Sequence, residues 1–170
     1  ASLVAIVISF YDEIRSLLSQ PRIILMIIIA TIPAGLIGYF FDKQIEALFA
    51  STALVGIAMM VTGLYIIFTE IRWKQTPVWL EQAPLLSALW VGIAQAFAII
   101  PGLSRSGLTI CTGLMNGWEK RDSIKFSFFL ALPVIAGASV LKLKDFSKLT
   151  ASFEPITILV SCVVCLVVSL

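Results

Sequence analysis

The chain of 170 residues contains no histidine, and only 13% of its residues are charged. The first absence excludes a histidine general base, a phosphohistidine intermediate and a histidine metal ligand from these residues. The second argues against an ordinary water-soluble domain, in which about a quarter of residues carry charge. Twelve basic residues against ten acidic ones leave a formal charge of +2, which is no electrostatic footprint for nucleic acid, so no nucleic-acid partner is expected. Neither an initiating methionine nor a basic leader opens Ala1 to Tyr11, and the sequence stops at Leu170 inside an apolar run. Residues 1–11 therefore read as the tail of a helix, and the chain as a piece of a longer one.

What is present is apolar surface. Hydrophobic residues make up 59% of the chain and the mean hydropathy is +1.03, more than a single soluble core could bury. The bilayer is the matching solvent. Uncharged stretches run over Ile23–Phe41, Ala47–Thr69, Gln82–Ser104, Ser106–Trp118, Phe126–Leu141 and Pro155–Leu170. A transmembrane helix needs roughly 20 such residues at about 1.5 Å each, which the first three supply. Phe126–Leu141 is shorter, but Lys125 and Lys142 can snorkel to the interface. Ser106–Trp118 is too short to cross and reads as re-entrant.

The expected fold is therefore an all-α integral membrane protein, a single transmembrane domain over 1–170. Its helices are expected at about 1–11, 23–41, 47–69, 82–100, re-entrant 106–118, 124–141 and 155–170. Arg15, Arg22, Arg72 and Lys74 favour the cytoplasm for the first and third connections, against Lys43 in the second. Whether Gln82–Trp118 returns to its side of entry or crosses stays open, because the Lys and Arg totals on the two sides come out the same either way. Trp73, Trp79, Trp90 and Trp118 lie near predicted helix ends and read as interface anchors.

One segment breaks the pattern. Between two apolar half-helices lies Pro101-Gly-Leu-Ser-Arg-Ser-Gly-Leu-Thr109. Pro101 removes an amide donor and disfavours helix at Ile100, while Gly102 and Gly107 permit backbone angles closed to other residues. Irregular backbone at membrane depth is tolerated only inside protein or beside a wet cavity, and an arginine there costs about 2.5 kcal/mol or more. An anionic ligand would offset that cost. Arg105 offers a planar fork suited to phosphate oxygens, Ser104 and Ser106 add hydroxyls and amides, and a half-helix starting at Ser106 or Gly107 would aim its positive end at the same place. Thr109 then falls in the first helical turn. The plainer alternative is an interfacial loop with Arg105 among lipid headgroups. Two serines, an arginine and a threonine within six residues are more than an anchor requires.

Other features carry less. Cys162 and Cys165 have redox or metal spacing, but they lie in an apolar helix without a second ligand pair and read as packing. Gly113 with Gly117, and Ala34 with Gly38, fit close helix packing. Gln95, polar in mid-helix, either bonds a neighbouring helix or faces the site as a substrate-binding group. Glu70, Glu81, Glu119 and Asp122 read as loop carboxylates, solvated or paired with nearby Lys and Arg, and receive no catalytic role.

The run Pro101-Gly102-Leu103-Ser104-Arg105-Ser106-Gly107-Leu108-Thr109 resembles the signature Pro-Gly-x-Ser-Arg-Ser-x-x-Thr of the bacterial undecaprenyl-diphosphate phosphatases, also called bacitracin-resistance proteins. Gly113, Gly117, Phe126-Ser127-Phe128, Pro133, Gly137-Ala138 and Ile32-Pro33-Ala34 are similar to that family in kind and order. The resemblance implies a multi-pass enzyme of the bacterial plasma membrane with an inverted-repeat architecture and two re-entrant hairpins, the second carrying this motif. It implies hydrolysis of a C55 polyprenyl diphosphate to the monophosphate plus phosphate, recycling the lipid carrier for cell-wall synthesis, at a site opening outward.

In that family Arg105, Ser104, Ser106 and Thr109 would line the site, with Gly102 and Gly107 beside the substrate. A divalent cation, Mg2+ or Ca2+, would come with the family's other motif, a Glu-rich stretch followed by Pro-x-Ser-Ser-x-Gly-His. Nothing in these residues matches that motif, so the metal ligands and the acid/base groups are expected outside them, and these residues alone are expected to release little phosphate. Monomer and homodimer both stay open. A flippase or secondary carrier of an anionic substrate could use the same cradle, because broken helices with half-helix N termini also serve transport.

Overall fold

A computed structural model of the chain describes residues 11, 15, 20–73, 78–143 and 155–169. Apart from Tyr11, the helix expected over 1–11 lies outside them. Two compact units emerge, Pro21–Ala131 and one made of Ala1–Gln20 with Leu132–Leu170. The first holds α1 (Pro21–Phe40), α2 (Asp42–Leu48), α3 (Thr52–Arg72), a 3-10 turn (Leu80–Gln82), α4 (Leu85–Phe97), α5 (Arg105–Met115) and the start of α6 (Lys120–Leu143). The second holds the rest of α6 and α7 (Pro155–Ser169). The protein is all-α. Among the described residues, three segments are long and apolar enough to cross a membrane: α1, α3 and Lys120–Val140 of α6.

In the first unit α1 and α4 run side by side in the same direction. Ile23, Met26, Ile27, Ala30 and Ala34 recur every three or four residues and form the buried stripe of α1. Three contacts fix the direction. Arg22 Nη2 donates to Ala83 O at 2.8 Å, Gly92 packs against Ala30, and Gly38 faces Ile99. A Cβ at Gly92 would lie 2.5 Å from Ala30 O, so only glycine lets the two backbones approach this closely. α3 pairs in the same way with α5: the Ser104 N–H donates to Thr62 Oγ1 at 3.2 Å, and Tyr65 Oη lies 3.1 Å from Thr112 Oγ1.

α4 and α5 are thus the two arms of a hairpin. Their outer ends are tied together by backbone: Val78 N–H donates to Gly117 O (2.8 Å), and Glu119 N–H donates to Val78 O (3.1 Å). The segment therefore returns to its side of entry, a choice that charge counting left open. α4 stops at Phe97 instead of Ile100, because the residues before Pro101 cannot continue a regular helix. α2 was not expected. Asp42, Lys43 and Glu46 interrupt the apolar run that marks the longer helices.

Two expectations are corrected at the base of this hairpin. Trp118 is not an interface anchor: it is fully buried, its Nε1 donates to Ser87 Oγ at 3.0 Å, and its ring meets Phe126 edge-on at 5.0 Å. Nor are Glu119 and Asp122 simply solvated or paired with cations, whereas Glu70 and Glu81 are exposed. Asp122 Oδ2 accepts the Leu80 N–H at 2.9 Å, tying the 3-10 turn to α6, and Glu119 Oε2 accepts the Asp122 N–H at 3.0 Å, capping one of the orphan amides that open α6. Glu70 lies in the last turns of α3, outside any loop.

Candidate functional site

The hairpin tip is set by one glycine. Gly102 has φ +93°, a left-handed angle that residues with a Cβ avoid, and its Cα faces the backbone of Val55 on α3, where a Cβ would collide with the Val55 carbonyl. The chain then turns into α5. Ser104 is the N-cap: its Oγ accepts the Gly107 N–H at 3.1 Å. The half-helix therefore begins at Arg105, one residue earlier than the first of the two expected starts, because a serine in the cap position satisfies an otherwise unpaired amide.

Depth follows from the partners. α3 has 21 residues, about 31 Å of helix, and Thr62, which receives the Ser104 amide, stands at its middle. α5 has 11 residues, about 16 Å, half the span of a hydrocarbon core. The N terminus of a half-helix thus sits near mid-depth beside a helix long enough to cross. That position aims the Arg105 and Ser106 amides and the positive helix end into one place. The Gly107 amide is committed to Ser104.

The candidate residues separate into two groups. Ser104 and Ser106 are exposed and Arg105 is partly buried, with the two serine hydroxyls 3.4 Å apart. Among the described residues no carboxylate pairs with Arg105. Thr109 lies behind them and is 2% exposed. Its hydroxyl lies 2.8 Å from Arg105 O, 3.3 Å from Ser106 O and 2.7 Å from Ser127 Oγ on α6. Gln95, on α4, is 2% exposed, and neither its Oε1 nor its Nε2 has a partner among the described residues. Gly102 and Gly107 shape the backbone of the tip, with Gly107 packed against Ser104 and the Thr62 methyl.

Sequence reasoning missed two residues, Thr62 and Ser127. Thr62 is a single hydroxyl inside an apolar run, and nothing local reveals that it meets a loop 42 positions away. Ser127 stands within Phe126-Ser127-Phe128, a run used for the resemblance but given no role.

No three His, Cys, Asp or Glu residues among the described ones form a group that could hold a metal ion. The described residues therefore do not fit the divalent cation implied by the resemblance.

The profile of the family described as "Bacitracin resistance protein BacA" matches residues 1–170, the whole chain. The chain belongs to this family. Curated relatives of the chain carry the name undecaprenyl-diphosphatase. The one from Carboxydothermus hydrogenoformans is 41% identical over 160 residues, covering 93% of this chain and 61% of the relative. That from Thermotoga maritima is 40% identical over 142 residues, covering 84% and 60%. That from Methanobrevibacter smithii is 43% identical over 139 residues, covering 81% and 50%. This BacA-family chain spans about three fifths of the length of the first of these relatives.

Proposed function

We propose that this chain carries the phosphate-binding hairpin of an undecaprenyl-diphosphatase. In this reading the whole protein hydrolyses the phosphoanhydride of a C55 polyprenyl diphosphate, consuming water and yielding the monophosphate and phosphate. It thereby recycles the lipid carrier for peptidoglycan synthesis and confers bacitracin resistance. The observation that carries the reading is Arg105, without a carboxylate partner among the described residues, at the N terminus of a half-helix held to the middle of α3. Charge there calls for an anion. Family membership and the shared name of the relatives select a lipid diphosphate as that anion.

Each residue then has a task. The Arg105 guanidinium holds phosphoryl oxygens in a bidentate fork and stabilises the charge that grows as the bridging bond breaks. The Ser106 amide and hydroxyl and the Ser104 hydroxyl orient the same group. Thr109 acts on the backbone behind them, and Gln95, buried two residues before the end of α4 with its amide unpartnered among the described residues, is a candidate hydrogen-bonding group. The divalent cation of the resemblance would be held by residues outside those described.

The membrane is taken to be the bacterial plasma membrane, with the cradle opening to its outer face. In support, within Pro21–Ala131 Arg22, Arg72, Lys120, Arg121 and Lys125 gather at the end where the hairpin begins and finishes, against Lys43 at the other. Basic ends favour the cytoplasm, so the tip points away from it.

The test is phosphate release from long-chain polyprenyl diphosphate by the natural protein in detergent, beside its Arg105→Ala variant and with added chelator. Release that needs Arg105 supports a diphosphatase. Tight lipid binding without release, lost in Arg105→Ala, would make the protein a carrier.

A further inference from the structure

The Thr109 hydroxyl stands between two peptide groups and a neighbouring helix. A peptide unit is planar, so the C=O of Arg105 and the N–H of Ser106 are two ends of one rigid group. The C=O of Ser106 and the N–H of Gly107 are likewise joined. Thr109 Oγ1 lies within hydrogen-bond reach of both carbonyls, at 2.8 Å and 3.3 Å. A hydroxyl has one hydrogen to give. When Thr109 donates it to these carbonyls, the 2.7 Å contact with Ser127 Oγ must have Ser127 as the donor. Both hydroxyls are buried, at 2% and 7% exposure, so water does not compete for them.

We propose that Ser127 is a positioning residue that acts through Thr109 on the Ser106 amide. The chain of bonds runs from the Ser127 hydroxyl to the Thr109 hydroxyl, to the Arg105 carbonyl, and through that peptide plane to the Ser106 N–H, which faces the cradle. Hydrogen bonds in series polarise one another. The chain therefore makes the Ser106 N–H a stronger donor to an anion, and it fixes the plane's orientation against α6. Ser127 touches no ligand itself. It tethers the first turn of α5 from behind, while Thr62 tethers it at the Ser104 amide.

The effect on turnover rests on the diphosphatase reading, whereas the bond chain does not, and two readouts keep them apart. The first is the 1H–15N resonance of the Ser106 amide in the natural protein labelled with 15N-serine in detergent. The second is kcat and KM for phosphate release from polyprenyl diphosphate. Ser127→Ala should shift the Ser106 amide upfield and lower kcat about fivefold, on the order of one buried hydrogen bond, with KM little changed. Ser127→Thr, which keeps the hydroxyl, should restore both. Thr109→Val should reproduce the shift, and adding Ser127→Ala to it should do nothing more in either readout.

An unmoved Ser106 amide in Ser127→Ala, or a double variant whose losses multiply, would overturn the proposal. A wild-type protein that releases no phosphate while its Ser106 amide responds to Ser127→Ala would sink the diphosphatase reading and uphold the positioning chain.

Discussion

At the base of the α4–α5 hairpin, Trp118 is wholly buried, its indole N–H is bonded to Ser87, and two backbone bonds join Val78 to Gly117 and Glu119. At the tip, Ser104 and Ser106 are exposed and a single glycine carries the turn. The base is held by apolar packing with its polar atoms largely matched; the tip is held from behind by Thr62, Thr109 and Ser127, with its front left open. The difference assigns rigidity to one end and chemistry to the other. A site aimed by a short half-helix needs that division, because a loose base would swing the tip by ångströms.

Substitutions at the two ends should therefore fail in different ways. The largest effect is expected at the tip: Arg105→Ala should cut kcat/KM for polyprenyl diphosphate about a thousandfold, in line with losing a key charge-stabilising donor, while the unfolding temperature in detergent hardly moves. Trp118→Ala should do the reverse. Removing a fully buried indole costs about 3 kcal/mol or more, visible as a lower unfolding temperature, with turnover per folded molecule largely kept at temperatures where the variant stays folded. Gly102→Ala would join both ends in one variant. The left-handed angle and the Val55 carbonyl together should cost about 2 kcal/mol or more, and both stability and turnover should fall. The smallest effect is expected for Thr62→Val, which leaves the Ser104 amide without its acceptor at a cost of about 1 kcal/mol and should lower turnover more than it lowers stability. Equal losses of stability and turnover in both Arg105→Ala and Trp118→Ala would abolish the distinction.

The same contrast governs what the sequence could reveal. The spans of α1, α3 and α6 are visible as gaps between charges, since a bilayer imposes length and composition directly. The break at Pro101 is visible because proline and glycine act on their own backbone. The sense of the hairpin is not, because the Lys and Arg tallies come out seven against four for either topology; the bridge between Val78 and Trp118 decides it. Trp118 near a helix end resembles an anchor until Ser87 and Phe126 are seen around it. Thr62 and Ser127 are silent for a related reason. A lone hydroxyl in an apolar run acquires meaning from the residue it meets, and those partners lie 42 and 18 positions away.

A segment that returns to its own side adds nothing to the parity of the chain. α3 ends and α6 begins at the same end, where Lys120 Nζ sits 5.9 Å from the Trp73 ring. Reporters fused after Arg72 and before Lys120 should therefore answer from one compartment, although the sequence between them is hydrophobic enough to be counted as a crossing. It also means that a hairpin of this kind can be gained, lost or reshaped without inverting any helix that follows it.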